Sequence, residues 1–255
     1  MGNKVISLSN KIAMVTGAGR GIGKSIALGF AEAGADVVLT SRTLSEIETT
    51  ADEIKKIGRK ALPIVCDVGK STEVKNLARA AIDEFGQVDI LVNNAGISPF
   101  VVPIEDLGEN GWDKILNINL KGVFLCSQEI GRDMIKRHSG KIINMTSIGG
   151  VVGFPGQVAY CVSKAGIIML TKMFAKEWGK YNINVNGIGP GMVETKLTEK
   201  YRDNQELVKN RIESTPLRRF AKPMDIVGGA LFLASDLSDY MTGQTIFIDG
   251  GRLVA

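Results

Sequence analysis

Ile12-Ala13-Met14-Val15-Thr16-Gly17-Ala18-Gly19-Arg20-Gly21-Ile22-Gly23-Lys24 is the stretch from which the rest of the chain can be read. An apolar run passes into a cluster of glycines, and a helical pattern starts near Lys24. Glycines in such a loop allow a tight turn and let backbone N–H groups approach a pyrophosphate, whose charge the following helix N-terminus favours. A plain turn with close helix–strand packing would use the same residues, and a glycine loop alone is a weak sign. Its place directly after a first strand and before a helix gives it weight. The spacing is G-x-x-x-G-x-G, set by Gly17, Gly21 and Gly23, with Gly19 adding an internal G-x-G.

The same rhythm continues outward. Asp36 to Thr40, Ala61 to Val65, Val88 to Val92, Lys141 to Met145, Ile183 to Ile188 and Thr245 to Ile248 are further short apolar runs. They are continuous rather than alternating, as in strands covered on both faces. Between them lie helical segments. Val74, Leu77, Ala78, Ala81, Ile82 and Phe85 form one apolar stripe that starts near Ser71 and Glu73 and stops at Gly86. Gly34 and Gly58 punctuate in the same way. Strands alternating with helices predict an α/β fold: a doubly wound, seven-stranded parallel sheet of the Rossmann type, forming a single domain over 1–255. The polar stretch 191–216 breaks the rhythm and is read as a substrate lid.

Composition narrows the function. Of 255 residues, 44% are hydrophobic and 23% charged, which excludes a disordered chain. The 30 glycines are about 12% of the chain, against a usual ~7%, but they are not periodic, so a collagen-like reading fails. The net charge of +4 comes with no basic stripe or stacking aromatics, so no nucleic-acid partner is expected. No uncharged apolar run has the length of a membrane span, and Met1 to Asn10 has no signal-like apolar core. Cys66, Cys126 and Cys161 are widely spaced and odd in number, which suits a reducing cytoplasm. The single histidine, His138, argues against a His-rich metal site, and no metal is expected.

Candidate site residues gather at the predicted carboxyl ends of strands, where ligands bind in such sheets. Asp67 follows the third strand and Asn93-Asn94-Ala95-Gly96 the fourth. Ser147 follows the fifth. Tyr160 and Lys164 are four apart, so a helix presents both on one face. Asn119 lies between apolar neighbours, where a buried amide needs partners. Taken singly, each has an ordinary structural reading: a turn cap, a loop serine, a surface Tyr/Lys pair. Together they suit carbonyl reduction by hydride, which leaves an alkoxide to be protonated. A phenol can donate that proton, a nearby ammonium favours the resulting phenolate, and a serine hydroxyl can hold the substrate oxygen.

These motifs resemble the short-chain dehydrogenase/reductase family over essentially the whole length. Thr16-Gly17 with Gly21-Ile22-Gly23 is similar to its cofactor loop, Asn93-Asn94-Ala95-Gly96 to its fourth-strand motif, and Asn119, Ser147, Tyr160 and Lys164 to its catalytic tetrad. Pro190-Gly191-x-Val193-x-Thr195 resembles the segment that holds the nicotinamide carboxamide. The resemblance implies Tyr160 as general acid/base, Ser147 as orienter, and Lys164 as ribose ligand and modulator of the tyrosine. It also implies Asn119 holding a relay water, and Asp67 and Val68 flanking the adenine. It implies a homotetramer, with a helix pair and Thr245 to Ala255 at subunit contacts. Much of the chain resembles 3-oxoacyl-carrier-protein reductases, which would make an acyl carrier protein a partner. These usually have Asn where Asp249 stands and a carrier-binding arginine near Tyr181; Arg137 is the other basic candidate. Glu177 to Ile183 is instead similar to gluconate 5-dehydrogenases and related sugar or polyol dehydrogenases.

An enzyme acting on a small ketone or secondary alcohol is the first reading, and a catalytically silent dinucleotide sensor the competing one. A sensor needs only the loop and ribose contacts, not four catalytic side chains. Gly153-Phe154-Pro155, Phe100-Val101-Val102 and Met192 would give the substrate pocket an apolar wall. For the cofactor, the second strand ends Leu39-Thr40-Ser41-Arg42-Thr43, with no carboxylate at the corner where NAD-preferring proteins place one. Asp36 is at the wrong end, and Glu46 lies further on. Arg42, with Arg20 and Ser41, would contact a 2′-phosphate, so NADP(H) is expected over NAD(H).

Overall fold

The structure, a computed structural model, describes residues 6–201 and 205–254. Seven strands form one parallel sheet: β1 (Ile12–Thr16), β2 (Asp36–Ser41), β3 (Ala61–Val65), β4 (Ile90–Asn93), β5 (Gly140–Met145), β6 (Ile183–Pro190) and β7 (Thr245–Ile248). Their order is β3-β2-β1-β4-β5-β6-β7. The direction of winding therefore reverses between β1 and β4, which pair at Met14↔Leu91. A crevice opens there at the carboxyl ends of the strands.

The helices are α1 (Gly21–Glu32), α2 (Leu44–Lys56), α3 (Ser71–Phe85), α4 (Glu109–Leu116), α5 (Gly122–Arg137), α6 (Val158–Trp178), α7 (Gln205–Glu213) and α8 (Met224–Ala234). They cover both faces of the sheet, because strands apolar on both sides demand it. Every residue of β1 and β4 is buried. On one face Ile26 and Phe30 of α1, Ile47 of α2 and Ile226 of α8 pack on the sheet. On the other, Leu77 of α3, Ile130 and Met134 of α5 and Phe174 of α6 do so. Each such side chain contributes about 1.5–3 kcal/mol on burial.

Some boundaries differ from the sequence reading. The fourth strand starts at Ile90 rather than Val88; just ahead of it Asp89 accepts the Ile12 N–H on its carboxylate (2.9 Å) and bonds Ile12 and Lys141 through its backbone. The sixth strand runs on to Pro190. The stretch 191–216 holds a 3-10 turn, Glu199–Tyr201, and α7; residues 202–204 of the expected lid, and Ala255, lie outside the described residues. Val158–Tyr181 has the length and mean hydropathy (1.4) of a membrane span, but it contains Lys164 and Lys172 and packs along β6 as a core helix.

Candidate active site

The crevice is built by tying two loops together. Thr16 Oγ1 accepts the N–H groups of Asn94 (2.9 Å) and Ala95 (3.0 Å), and Asn94 Nδ2 donates to Thr16 O (2.8 Å) and Gly17 O (3.2 Å). Gly17 has φ 65°, and a Cβ on Gly23 would stand 2.3 Å from Gly17 O. Side chains there would fill the turn, so the glycines keep backbone on the floor of the crevice.

A cavity of about 480 Å³ runs along this floor. Gly17, Gly19, Arg20, Gly21 and Ile22 line one end with Ser41 and Arg42. Asp67, Val68, Ala95 and Gly96 line the middle, and Ser147, Tyr160, Lys164, Pro190, Gly191, Val193 and Thr195 the other end. Two expected residues stand behind it. Asn93 is 2% exposed and donates to Ser127 Oγ (2.9 Å) and Asn144 Oδ1 (2.8 Å), so its side chain ties β4 to β5 and α5. Its neighbour Asn94 faces the crevice, since successive strand residues point to opposite sides. Asn119 is fully buried in a π-helical turn, Asn117–Lys121, where its amide exchanges two hydrogen bonds with Ile97 and donates to Ser163 Oγ (3.1 Å).

At the catalytic end, α6 sets Tyr160 and Lys164 one turn apart beside the end of β5. Ser147 Oγ accepts the Gly149 N–H (3.0 Å) and hydrogen-bonds Tyr160. Lys164, 5% exposed, donates to Met145 O (2.7 Å), with Nζ 5.7 Å from the Tyr160 ring centre. Burial pulls its pKa down to about 8. Burial likewise pushes the Tyr160 phenol up to about 12, offset in part by the Ser147 hydrogen bond. The expected lowering of the tyrosine is therefore absent from the protein by itself: desolvation outweighs its neighbours, and the lysine's hydrogen bond goes to a carbonyl. The phenol keeps its proton at neutral pH.

The corner after β2 also differs from the sequence reading. The first turn of α2 carries Glu46 back over the glycine loop, so a carboxylate does stand there. Its Oε1 is 2.9 Å from Arg20 Nη1, and a Cβ on Gly19 would be 2.6 Å from Glu46 Cβ. Arg20 is thus already paired. Ser41 Oγ is engaged with Thr43, accepting its N–H (3.1 Å) and donating to its carbonyl (3.0 Å). Arg42 is exposed and has no ion pair among the described residues. Asp67 Oδ1 accepts the Gly69 N–H (3.0 Å). Sequence reasoning names Thr16 and Asn94 only as members of their motifs, with no role of their own, and sets Glu46 aside as too far along; the structure makes Thr16 and Asn94 the tie between the two loops and brings Glu46 to the corner.

The residues fit a dinucleotide: a glycine cradle that a Cβ would block, and a buried amine with one protein acceptor and further N–H groups to donate. Among the described residues no group of His, Cys, Asp and Glu is placed to hold a metal ion.

A family model described as enoyl-(acyl carrier protein) reductase matches residues 17–252. The chain is 43% identical over 243 residues to the 3-oxoacyl-(acyl-carrier-protein) reductase FabG of Staphylococcus epidermidis, covering 95% of this chain and 98% of the relative. The chain belongs to the short-chain dehydrogenase/reductase family. Within that family it is 40% identical over 248 residues to a 2-dehydro-3-deoxy-D-gluconate 5-dehydrogenase of Dickeya dadantii, covering 97% of each chain. The crystal structure of a gluconate 5-dehydrogenase from Burkholderia cenocepacia in complex with NADP and tartrate superposes with TM-score 0.95 at 36% identity, covering 98% of each chain. As a short-chain dehydrogenase/reductase the chain is an oxidoreductase that uses a pyridine nucleotide and acts on CH–OH or keto groups.

Proposed function

We propose that this cavity transfers a hydride between NADP(H) and a small ketone or secondary alcohol. The observation that carries this reading is the placement of Ser147, Tyr160 and Lys164 around one end of a crevice whose other end is the glycine cradle. A bound nicotinamide supplies or accepts the hydride. Tyr160 O–H gives the proton to the substrate oxygen in reduction and takes it back in oxidation, and Ser147 holds that oxygen by hydrogen bond. Lys164 donates to the cofactor ribose, and its ammonium favours the phenolate once proton transfer begins. Asn119, buried beside Ser163, fixes the turn that leads a relay water toward Lys164. Asp67 and Val68 bracket the adenine. Arg42 recognises the 2′-phosphate, and Arg20 shares it when it leaves Glu46.

The test is Tyr160→Phe. Turnover should fall by about 10²–10⁴-fold while the nucleotide still binds, since the lost group is a general acid. Wild-type kcat in that variant overturns the assignment.

Two substrate classes follow from the relatives: a 3-oxoacyl group on an acyl carrier protein, and a sugar acid or polyol. One observation favours the second. Arg137, the basic candidate for carrier recognition, is held by Asp133 (2.7 Å), Asp89 (3.5 Å) and Val88 O (2.7 Å), and Tyr181 packs against His138 at 5.5 Å. Neither presents a free cation to an acidic partner. Residues 191–201 and 205–216 form the described parts of a lid over the substrate.

The protein assembles as a homotetramer in this reading. Phe124, Met169 and Met173 are exposed along an apolar groove between α5 and α6, and Phe247 and Val254 are exposed near the end of the chain. Patches of that kind are the usual mark of an interface. Three free cysteines, two of them buried, suit the cytoplasm.

A further inference from the structure

Helix α7 carries a guanidinium that proton transfer does not use. Arg211 is half-buried between two aromatic rings, its Cζ 4.9 Å from the centre of Tyr201 and 6.0 Å from that of Phe154. It forms no ion pair among the described residues, and a second cation, Arg252, acts on it; Arg252 Nη1 donates to Ser214 O (2.9 Å). Burial presses the guanidinium toward its neutral form, Tyr201 opposes this, and Arg252 adds a smaller push in the same direction as burial. Holding two cations together in a partly dry place is unfavourable unless an anion joins them.

The two rings that hold Arg211 connect it to the catalytic end of the cavity. The point that a Cβ on Gly149 would occupy is 3.1 Å from the Phe154 ring and 3.4 Å from Ser147 Oγ. On the other side Tyr201 hydrogen-bonds Ser98, which lines the cavity. Phe154 and Tyr201 thus run from the guanidinium to Gly149, beside Ser147, and to Ser98 of the cavity wall. Stacking fixes the plane of the guanidinium and leaves its N–H edge to fork onto a carboxylate.

We propose that Arg211, with Arg252 behind it, is the subsite for a carboxylate on the substrate: a short hydroxy acid or keto acid whose reacting carbon lies at Ser147 and Tyr160. This rests on the reading of the cavity as a dehydrogenase site. The phosphate of an acyl-carrier arm does not fit this subsite, because it stands the full length of the arm from the thioester carbonyl.

The experiment compares D-gluconate with sorbitol, which has the same carbon chain and no carboxylate, as substrates with NADP⁺. Wild type, Arg211→Gln and Arg211→Lys are assayed. Calorimetric titration of gluconate into each NADP⁺-loaded protein provides a readout that does not depend on turnover. In Arg211→Gln the gluconate-to-sorbitol ratio of kcat/KM should fall by about 10- to 100-fold, the loss expected for a charge-assisted contact. Gluconate binding should weaken in parallel, Arg211→Lys should restore part of both, and NADP⁺ affinity should not move. An unchanged ratio, or equal gluconate binding by wild type and Arg211→Gln, overturns the proposal. If no alcohol is oxidised, the dehydrogenase reading fails separately and the calorimetry decides: binding lost with Arg211→Gln supports the carboxylate subsite, and no binding by wild type overturns it.

Discussion

Replacing Lys164 with methionine should change how stability depends on pH. The amine is 5% exposed, and burial brings its pKa from 10.5 to about 8. At 1.36 kcal/mol per unit, a charged Lys164 costs the cofactor-free folded state about 3 kcal/mol below pH 8. The sign follows from proton counts. Between the two pKa values the unfolded chain holds the proton that the folded protein has released, so stability rises with pH. Between about pH 7 and about pH 9.5 the relief is about 2 kcal/mol. Lys164→Met has no such group. It leaves Met145 O without its 2.7 Å donor, a cost of about 1–3 kcal/mol that does not vary with pH. Cys66 and Tyr160, both pushed up to about 12, work in the opposite direction, since their unfolded forms ionise first. They are present in both proteins and cancel in the difference. Urea unfolding of the two proteins without nucleotide, at matched concentration and at both pH values, gives that difference. Wild type should gain about 2 kcal/mol on the variant as the pH rises. A gap that stays constant would refute the reasoning, because Lys164 would then keep an ordinary pKa in the folded protein.

Arg42→Asp should weaken NADPH binding by about 10- to 150-fold, as loss of a charge-assisted hydrogen bond predicts, with less effect on NADH; fluorescence titration measures both. Glu46→Gln releases Arg20 from an exposed ion pair, so it should alter stability by under about 1 kcal/mol yet tighten NADPH, more at low salt than at high. Met169→Glu puts a charge on the α5–α6 groove and should shift sedimentation toward smaller species, whereas an unchanged profile would place the assembly surface elsewhere. Because Tyr160 is held protonated, alcohol oxidation should speed up as pH rises and carbonyl reduction should not; parallel pH profiles for the two directions would count against Tyr160 as the proton donor.

The sheet was legible because strands covered on both faces must be apolar along their length, as Ile12 to Val15 is; Ile183 to Ile188, interrupted by Asn184 and Asn186, was legible from its place in the strand–helix rhythm. The Tyr160–Lys164 spacing was legible because helical geometry turns four residues into one face. Other features depend on how elements meet. Asn93 and Asn94 are chemically the same, and only the pleat at the end of β4 decides which one faces the crevice. Glu46 reads as a helix residue well past the corner, and it is the first turn of α2 folding back on Gly19 that places its carboxylate beside Arg20. Helix α7 has no buried residues, so it lacks the apolar stripe by which α3 announces itself.

The same distinction governs the chemistry. Sequence names a phenol and an amine one turn apart, and their charges suggest that the amine lowers the phenol. The fold buries both, and burial opposes ionisation of each: the phenol is pushed up to about 12 and the amine down to about 8. In the protein by itself they have therefore moved apart from nearly equal values, with the amine now the more acidic of the two, and at neutral pH both still carry their protons. A site in that state is charged with the proton that carbonyl reduction consumes. Moving the phenol down requires positive charge or hydrogen-bond donors beyond those the chain supplies, which couples the acid–base competence of Tyr160 to whatever fills the crevice beside Lys164.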